Sequence, residues 1–312
     1  MTKSFVHLHA HTEYSMLDGA AKIVDYLKKV KELNQPAAAI TDHGNLYGAM
    51  EFVQKANDFG IKPIIGYEAY ITPGSRFDRP DRENNKRYHL TLLAENNIGY
   101  QNLVELVSKA YTEGYYYKPR IDYELLDQHH DGLIALSGCL GGELAQHLAP
   151  DGSVEEGNTS NERSFEKALD ISKKYQSIFG KENYFIEIHN HGIKQQLDIL
   201  DDLVEIAQLI DAPLVAANDS HYVEENGAEA HDALLCVQTN RTLDDESRFR
   251  FDGTGYYVKS AEEMRKLFPE DKYPGACDNT LAIADRVNYE FNFDNSFLPD
   301  FPIEDKNVSP EE

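Results

Sequence analysis

Three histidines stand at alternate positions, 7, 9 and 11, in the stretch "SFVHLHAHTEYSMLDG", and Asp18 follows them. On an extended strand, side chains two apart share a face and lie roughly 6–7 Å apart at Cα. Two imidazoles at that spacing can close on one cation through bonds of about 2 Å. The outermost pair, His7 and His11, is about twice as far apart. The spacing therefore predicts a ligand pair at 7/9 or 9/11, and a site at the strand's end favours 9/11.

Four further stretches carry ligand chemistry. His43 follows an apolar run directly in "ITDHG", and "ANDSHY" sets Asp219 and His221 two apart. Glu68 lies inside the apolar "IIGYEAYI", where a carboxylate is costly unless it is paired or metal-bound. Cys139 sits between glycines in "ALSGCLGG". Each of these has an ordinary structural explanation by itself. Together they put His, Asp, Glu and Cys at the ends of five separate strands, which predicts a multinuclear metal site. Imidazole, carboxylate and thiolate together suit zinc, with manganese or magnesium at the oxygen-richer positions. His189 and His191 repeat the alternate spacing, and either contact substrate or cap the strands. His129, His130, His147 and His231 fall on helix or loop positions and are read as solvated.

The elements that must hold these residues alternate. Strand-like "FVHLHA", "AAAITDHG", "KPIIGYEAYI", "YHLTLLA", "DGLIALSGCLGG", "NYFIEIHNH" and "APLVAANDSHYV" are mostly followed by amphipathic helical stretches. One such stretch, "NLYGAMEFVQKANDFG", is closed by Gly60. About seven strands in this order imply a parallel α/β sheet, open or closed, with function at the strands' C-terminal ends. Two polar segments interrupt the pattern, at 73–87 and 150–162. The expected division is a body at 1–285 and a connector at 286–312.

With 30 basic and 54 acidic residues the formal charge is −24. Such a chain repels a phosphate backbone unless something local reverses the sign, as bound divalent cations do. The three scattered cysteines argue against a disulfide framework and for a reducing cytoplasm. No apolar run is long enough to span a membrane, and the N-terminus does not read as a secretory signal.

The ordered stretches "HLHAHTEYSMLDG", "ITDHGNLYGAMEF", "GYEAYI", "YHLTLLAEN", "KPRIDYELL", "ALSGCLGGE" and "ANDSHYV" resemble the PHP (polymerase and histidinol phosphatase) domain family. The closest resemblance is to the branch found at the N-terminus of bacterial replicative DNA polymerase III alpha subunits, and it covers nearly the whole chain. It implies a distorted seven-stranded (β/α)7 barrel with three divalent metal ions, Zn²⁺ or Mn²⁺, with Mg²⁺ an option. One ion would sit on His9, His11, Glu68 and Asp219, and a second on Asp18, His43 and His221. Glu68 would bridge to a third, on His89 and Cys139. His89 stands at the start of its strand, against the strand-end rule.

The implied activity is 3′→5′ exonuclease proofreading, with Asp18, His43, Glu68 and Asp219 in catalytic roles. DNA would enter as a single-stranded 3′ end. The remaining polymerase chain would be a partner, with the sliding clamp and other replisome subunits reached through regions outside this one. Three ions would add +6 where the scissile phosphate sits. Basic residues Arg76, Arg82 and Arg87 of the 73–87 loop, Lys118 and Arg120 of "YYYKPRID", and His191 are candidate substrate contacts. His7 and Asp42 are candidates for support behind the ligands. A small-molecule phosphatase of the histidinol-phosphate type, and a silent scaffold that stabilises a polymerase or docks a proofreading subunit, are the competing expectations.

Overall fold

The computed structural model describes residues 3–82, 84–150, 162–291 and 293. Seven strands form one curled sheet: β1 Ala37–Ile40, β2 Lys62–Ile71, β3 Tyr88–Ala94, β4 Arg120–Ile121, β5 Leu133–Leu136, β6 Tyr184–Ile188 and β7 Leu214–Ala216. The order across it is β1-β2-β3-β5-β6-β7, with the short β4 paired to the end of β2.

The N-terminal "FVHLHA" is not a regular strand. It runs extended between the first and last strands of that path and bonds to both sides. The Ala39 amide donates to the His7 carbonyl at 3.0 Å, and the His11 amide donates to the Ser220 carbonyl at 2.8 Å. These bonds close the sheet into a distorted barrel.

The sheet is not all parallel. β3 runs antiparallel to both β2 and β5. Its start therefore lies at the same rim as the other strands' ends, with His89 paired opposite Tyr70 near the end of β2. This reversal resolves the anomaly of His89, a ligand-type residue at the beginning of a strand.

Helices cover the outside. They include α1 Ile23–Glu32, α2 Ala49–Phe59, α3 Asn97–Thr112, α4 Tyr123–Gln128, α5 Glu143–Leu148, α6 Phe165–Phe179 and α7 Lys194–Ile210. Further on come α8 Ala228–Thr239, α9 Ala261–Leu267 and α10 Asp278–Arg286. Gly60 ends α2 in the left-handed conformation, φ 69°, which only glycine adopts without a Cβ penalty. Asn96, Asp122 and Ser164 cap α3, α4 and α6 through their side chains.

The barrel interior is layered. Val6, Leu8, Ala39, Ile64, Leu93, Ile134, Phe185 and Val215 fill its closed end, and Ile283, Ala284 and Val287 pack against them. Alternation along β2, β3 and β6 then puts Glu68, Thr91, His89 and Glu187 on the same inward face, nearer the open rim. Apolar side chains thus seal the floor, and polar ones crowd the mouth.

Residues beyond 285 continue the body. The Asn288 amide donates to the Glu95 carbonyl at 2.6 Å, and the Tyr289 hydroxyl donates to the Pro63 carbonyl at 2.9 Å. The expected connector at 286–312 is accordingly packed as far as 291, and most of its remainder lies outside the described residues. The same holds for most of the 150–162 segment. Among the described residues, no helix is long and apolar enough to cross a membrane.

Candidate metal centre

His9, His11, Asp18, His43, Glu68, His89, Cys139, Asp219 and His221 come together at one rim. His9 Nε2 lies 3.4 Å from both Glu68 Oε1 and Asp219 Oδ1. His11 Nε2 lies 3.1 Å from Asp219 Oδ1 and 3.5 Å from Glu68 Oε2. Beside them, His43 Nε2 is 2.9 Å from Asp18 Oδ2, and His221 Nε2 is 3.9 Å from the same oxygen. On the other side of Glu68, His89 Nδ1 is 3.0 Å from Oε1, with Cys139 Sγ 3.7 Å from each. Glu68 stands between all three groups, and His43 Nδ1 reaches its Oε2 at 2.6 Å.

Strand ends and turns position these groups. Asp219 has φ +46°, a left-handed conformation that aspartate tolerates better than most residues. Gly138 takes φ +91° and packs so closely that a Cβ there would meet the His89 carbonyl oxygen at 2.7 Å. That turn delivers Cys139 to the rim.

Three ring orientations are fixed from behind. His9 Nδ1 donates to Glu187 Oε1 at 2.7 Å, and His221 Nδ1 donates to the Asp219 carbonyl at 2.8 Å. His11 Nδ1 donates to Ser15 Oγ at 2.8 Å, and Ser15 in turn donates to Asp42 Oδ1 at 2.7 Å. Each ring therefore keeps its proton on Nδ1 and presents the Nε2 lone pair to the cluster. A lone pair aimed at a carboxylate oxygen is repulsive unless a cation or a proton lies between them.

Unpartnered buried atoms fit the same reading. His9 Nε2, His11 Nε2, His43 Nδ1, Asp18 Oδ1, Glu68 Oε2 and Asp219 Oδ1 are buried without hydrogen-bond partners. Such groups are rarely left bare in a folded protein. Divalent ions held by these nitrogens, oxygens and the Cys139 sulfur would satisfy them.

Electrostatics point the same way. Burial, with His43 and His221 nearby, pushes the His11 imidazole down to about 3, so it is neutral and able to coordinate. His9 differs: burial opposes its charge, but Asp219, Glu187 and Glu68 outweigh it and raise its pKa well above 6.5, so with no cation between them its Nε2 holds a proton that a bound ion would displace. Glu68 and Asp219 resist the upward pull of burial because the surrounding histidines hold both well below the ordinary carboxylate range. Burial, reinforced by Glu68, raises the Cys139 thiol, so its thiolate needs a cation beside it.

The remaining sequence expectations are placed as follows. His7 does not join His9 and His11. The chain bends at His9, Val6 and Leu8 point inward, and His7 Nε2 meets the Lys259 carbonyl at 2.9 Å. Asp42 supports His11 through Ser15. Arg76 is turned inward onto Glu113 at 2.7 Å and Asp122 at 3.1 Å, and Arg120 is fully buried, donating to the Gly114, Arg76 and Asp78 carbonyls. These two arginines fold the 73–87 loop rather than line the cleft. Arg82 is exposed on that loop, whereas Arg87 and Lys118 line the cleft beside the cluster.

His191 is held by the Asn218 carbonyl and Gln196 and stacks on Tyr256 at 3.9 Å, a bracing position behind the rim. His231 is buried against His221 and Phe251, not solvated, because α8 folds back over the rim.

Glu187 was legible but unread. It interrupts the apolar "YFIEI" just as Glu68 interrupts its strand, and it accepts from His9, His189 and the Gly138 amide. Above the cluster opens a cleft of about 670 Å³, with Asp18, His43, His89, Cys139, Asp219 and His221 in its lining.

The PHP domain family matches residues 7–191, more than half of the chain. This chain belongs to the PHP domain family. The PHP domain described here is 46% identical over 97% of its length to a DNA polymerase III subunit alpha of Mycobacterium tuberculosis, covering 26% of that protein. It is 47% identical over 96% of its length to the Thermus aquaticus protein of the same name, covering 24% of it. The chain thus spans about a quarter of the length of these relatives. A solved two-domain protein from Bacteroides vulgatus, described as containing a predicted PHP-like metal-dependent phosphoesterase, aligns over 91% of this chain and 69% of its own at 11% identity, with a TM-score of 0.39. That likeness is too loose to bear on the chemistry.

Proposed function

We propose that this PHP domain is a metal-dependent 3′→5′ exonuclease acting on the terminal phosphodiester of DNA, as the proofreading domain of a replicative polymerase. The observation that carries the reading is the completeness of the cluster. Nine side chains of ligand type converge, and buried atoms of His9, His11, Asp18, His43, Glu68 and Asp219 have no hydrogen-bond partner. In this reading it would hold three ions: one on His9, His11, Glu68 and Asp219; one on Asp18, His43 and His221; one on Glu68, His89 and Cys139. Zinc or manganese suits this donor mixture, with magnesium an alternative at the oxygen-rich positions.

When bound, such ions lower the pKa of a water, polarise the phosphate and stabilise the leaving oxygen. The chain supplies the rest. Glu187 and the Ser15–Asp42 pair hold His9 and His11 in one tautomer. Asp18, His43, Glu68 and Asp219 fix the cluster against the open cleft. Water adds to phosphorus and the P–O3′ bond breaks. The products are a nucleoside 5′-monophosphate and a strand one residue shorter with a free 3′ hydroxyl. The cleft admits one strand end, consistent with a mispaired terminus that has melted. Arg87 and Lys118 flank the entering phosphates. The rest of the polymerase chain would supply duplex binding, and the sliding clamp would act through regions outside this one.

The test follows a 5′-labelled single strand and a 3′-mismatched primer with Mn²⁺, Zn²⁺ or EDTA, beside Asp18→Asn. Stepwise 3′ shortening that EDTA and the variant abolish supports the reading. Loaded protein that hydrolyses aminoalkyl phosphates but not DNA would replace it with a small-molecule phosphatase. Loaded protein inert to both would leave the domain as a scaffold.

A further inference from the structure

The cluster can grip a phosphate, but nothing in it reads a base. Residues 248–251 read Arg-Phe-Arg-Phe, a basic and aromatic alternation at the edge of the same cleft. We propose that Phe249 and Arg250 form a subsite for the terminal nucleotide of a single strand, the ring stacking on the base and the guanidinium meeting a backbone phosphate. This inference rests on the nucleic-acid reading above.

The loop is pinned on both sides of these two residues. Upstream, Arg248 Nη2 donates to Asp232 Oδ2 on α8 at 2.6 Å. Downstream, Asn218 beside the ligand Asp219 donates to the Gly255 and Tyr257 carbonyls at 2.9 and 2.7 Å. Lys259 braces Asn218 in turn at 3.0 Å. Phe251 is wedged between His221 at 4.7 Å, His231 at 4.9 Å and Tyr256 at 4.6 Å.

Between these anchors, Phe249 and Arg250 both line the cleft that contains the cluster, and Phe249 remains 39% exposed. Packing explains Arg248 and Phe251. Phe249 meets Phe251 at a ring separation of 5.7 Å, but that contact still leaves it exposed at the mouth of the cleft. An aromatic face beside a cation is the arrangement that holds single strands without sequence preference. Phe249 meets Phe251, which itself packs on His221, so a base stacked there would share the cleft with the phosphate the cluster would hold.

The measurement is equilibrium binding by fluorescence anisotropy, with Mn²⁺ present and terminal phosphorothioate linkages to block cleavage. Two 5′-labelled oligonucleotides are compared, one ending in a normal nucleotide and one in an abasic residue. The parent chain should favour the base-bearing end by roughly tenfold. Phe249→Ala should lose that preference, and Phe249→Trp should keep it. Arg250→Ala should weaken both ligands and lower the salt slope by about one counterion. A parent chain with no preference, or a preference that survives in Phe249→Ala, overturns the subsite. An unchanged salt slope in Arg250→Ala removes its phosphate contact. Because cleavage is not measured, a chain that binds with this preference yet releases no nucleotide would sink the exonuclease reading alone.

Discussion

Glu187 shows how much of the candidate metal site lies behind the proposed ligands. Its Oε1 accepts from both His9 Nδ1 and His189 Nε2, while its Oε2 accepts from the Gly138 amide. One buried carboxylate therefore fixes a ligand ring and the turn that carries Cys139. Glu187→Gln removes the charge and one of these acceptors with little change of shape. It should weaken metal binding by about 10–100-fold, the usual cost of losing such a partner. Competition titration against a chromogenic chelator measures this, with circular dichroism to check folding. Unchanged affinity would mean that His9 is oriented by something else. Ser15→Ala makes the corresponding test at His11, and should cost less, because a neutral hydroxyl rather than a carboxylate is lost.

At the scale of elements, the β5 turn and the start of α5 carry most of the constraint. Gly138→Ala would place a Cβ 2.7 Å from the His89 carbonyl oxygen at φ +91°. A strained position of this kind costs about 1–3 kcal/mol, so the thermal midpoint should drop and the site at Cys139 and His89 should lose affinity. Five residues on, Glu143 opens α5 inside the body, where it accepts from the Tyr123 and Tyr175 hydroxyls. Burial raises its pKa above the ordinary 4.5, although both hydroxyls and nearby Lys174 pull the other way. A carboxyl with a raised folded pKa binds its proton more tightly in the folded chain. Its stabilising contribution is present below the unfolded value and is lost as pH rises through the folded one. Glu143→Gln cannot ionise, so the stability difference between parent and variant should shift in the variant's favour as pH rises from 4.5. Melting curves across that range would show it, and parallel curves would mean that Glu143 does not titrate in this way.

At the scale of the whole molecule, ions and fold should be coupled. The cluster draws on the N-terminal segment, β2, β3 and the loops after β1, β5 and β7, so a bound ion ties the barrel's seam to its far side. At ion concentrations about 100-fold above Kd, binding to the folded state alone contributes about 2.7 kcal/mol. For a domain of this size that corresponds to a rise of about 4 °C in Tm. Chelation should lower the melting temperature by such an amount, and adding back Zn²⁺ or Mn²⁺ should restore it. A melting temperature indifferent to chelator would argue that the cluster holds no ion. The acidic surface, at −24 overall, would then face DNA with nothing to reverse its sign.

The sequence alone determined the ligand chemistry and most of the elements that carry it. Alternation on strands is a local rule, so β2 and β3 were legible to the residue, while spacing left 7/9 or 9/11 open and the preference for a strand's end favoured His9 with His11. What only the tertiary structure decided was direction and neighbourhood. That β3 runs backwards, bringing His89 to the common rim, depends on which strands flank it. That His7 leaves its alternating face depends on a bend and on the Lys259 carbonyl, 252 residues away. Arg76 and Arg120 look in sequence like free cations, and buried carboxylate and carbonyl acceptors claim them in the fold. Phe249 and Arg250 lie far along the chain from every strand end, and only the folding of α8 and its following loop over the rim brings them into the cleft that His221 lines. Residue type and local period fix which chemistry is available, and long-range packing fixes which of those groups meet.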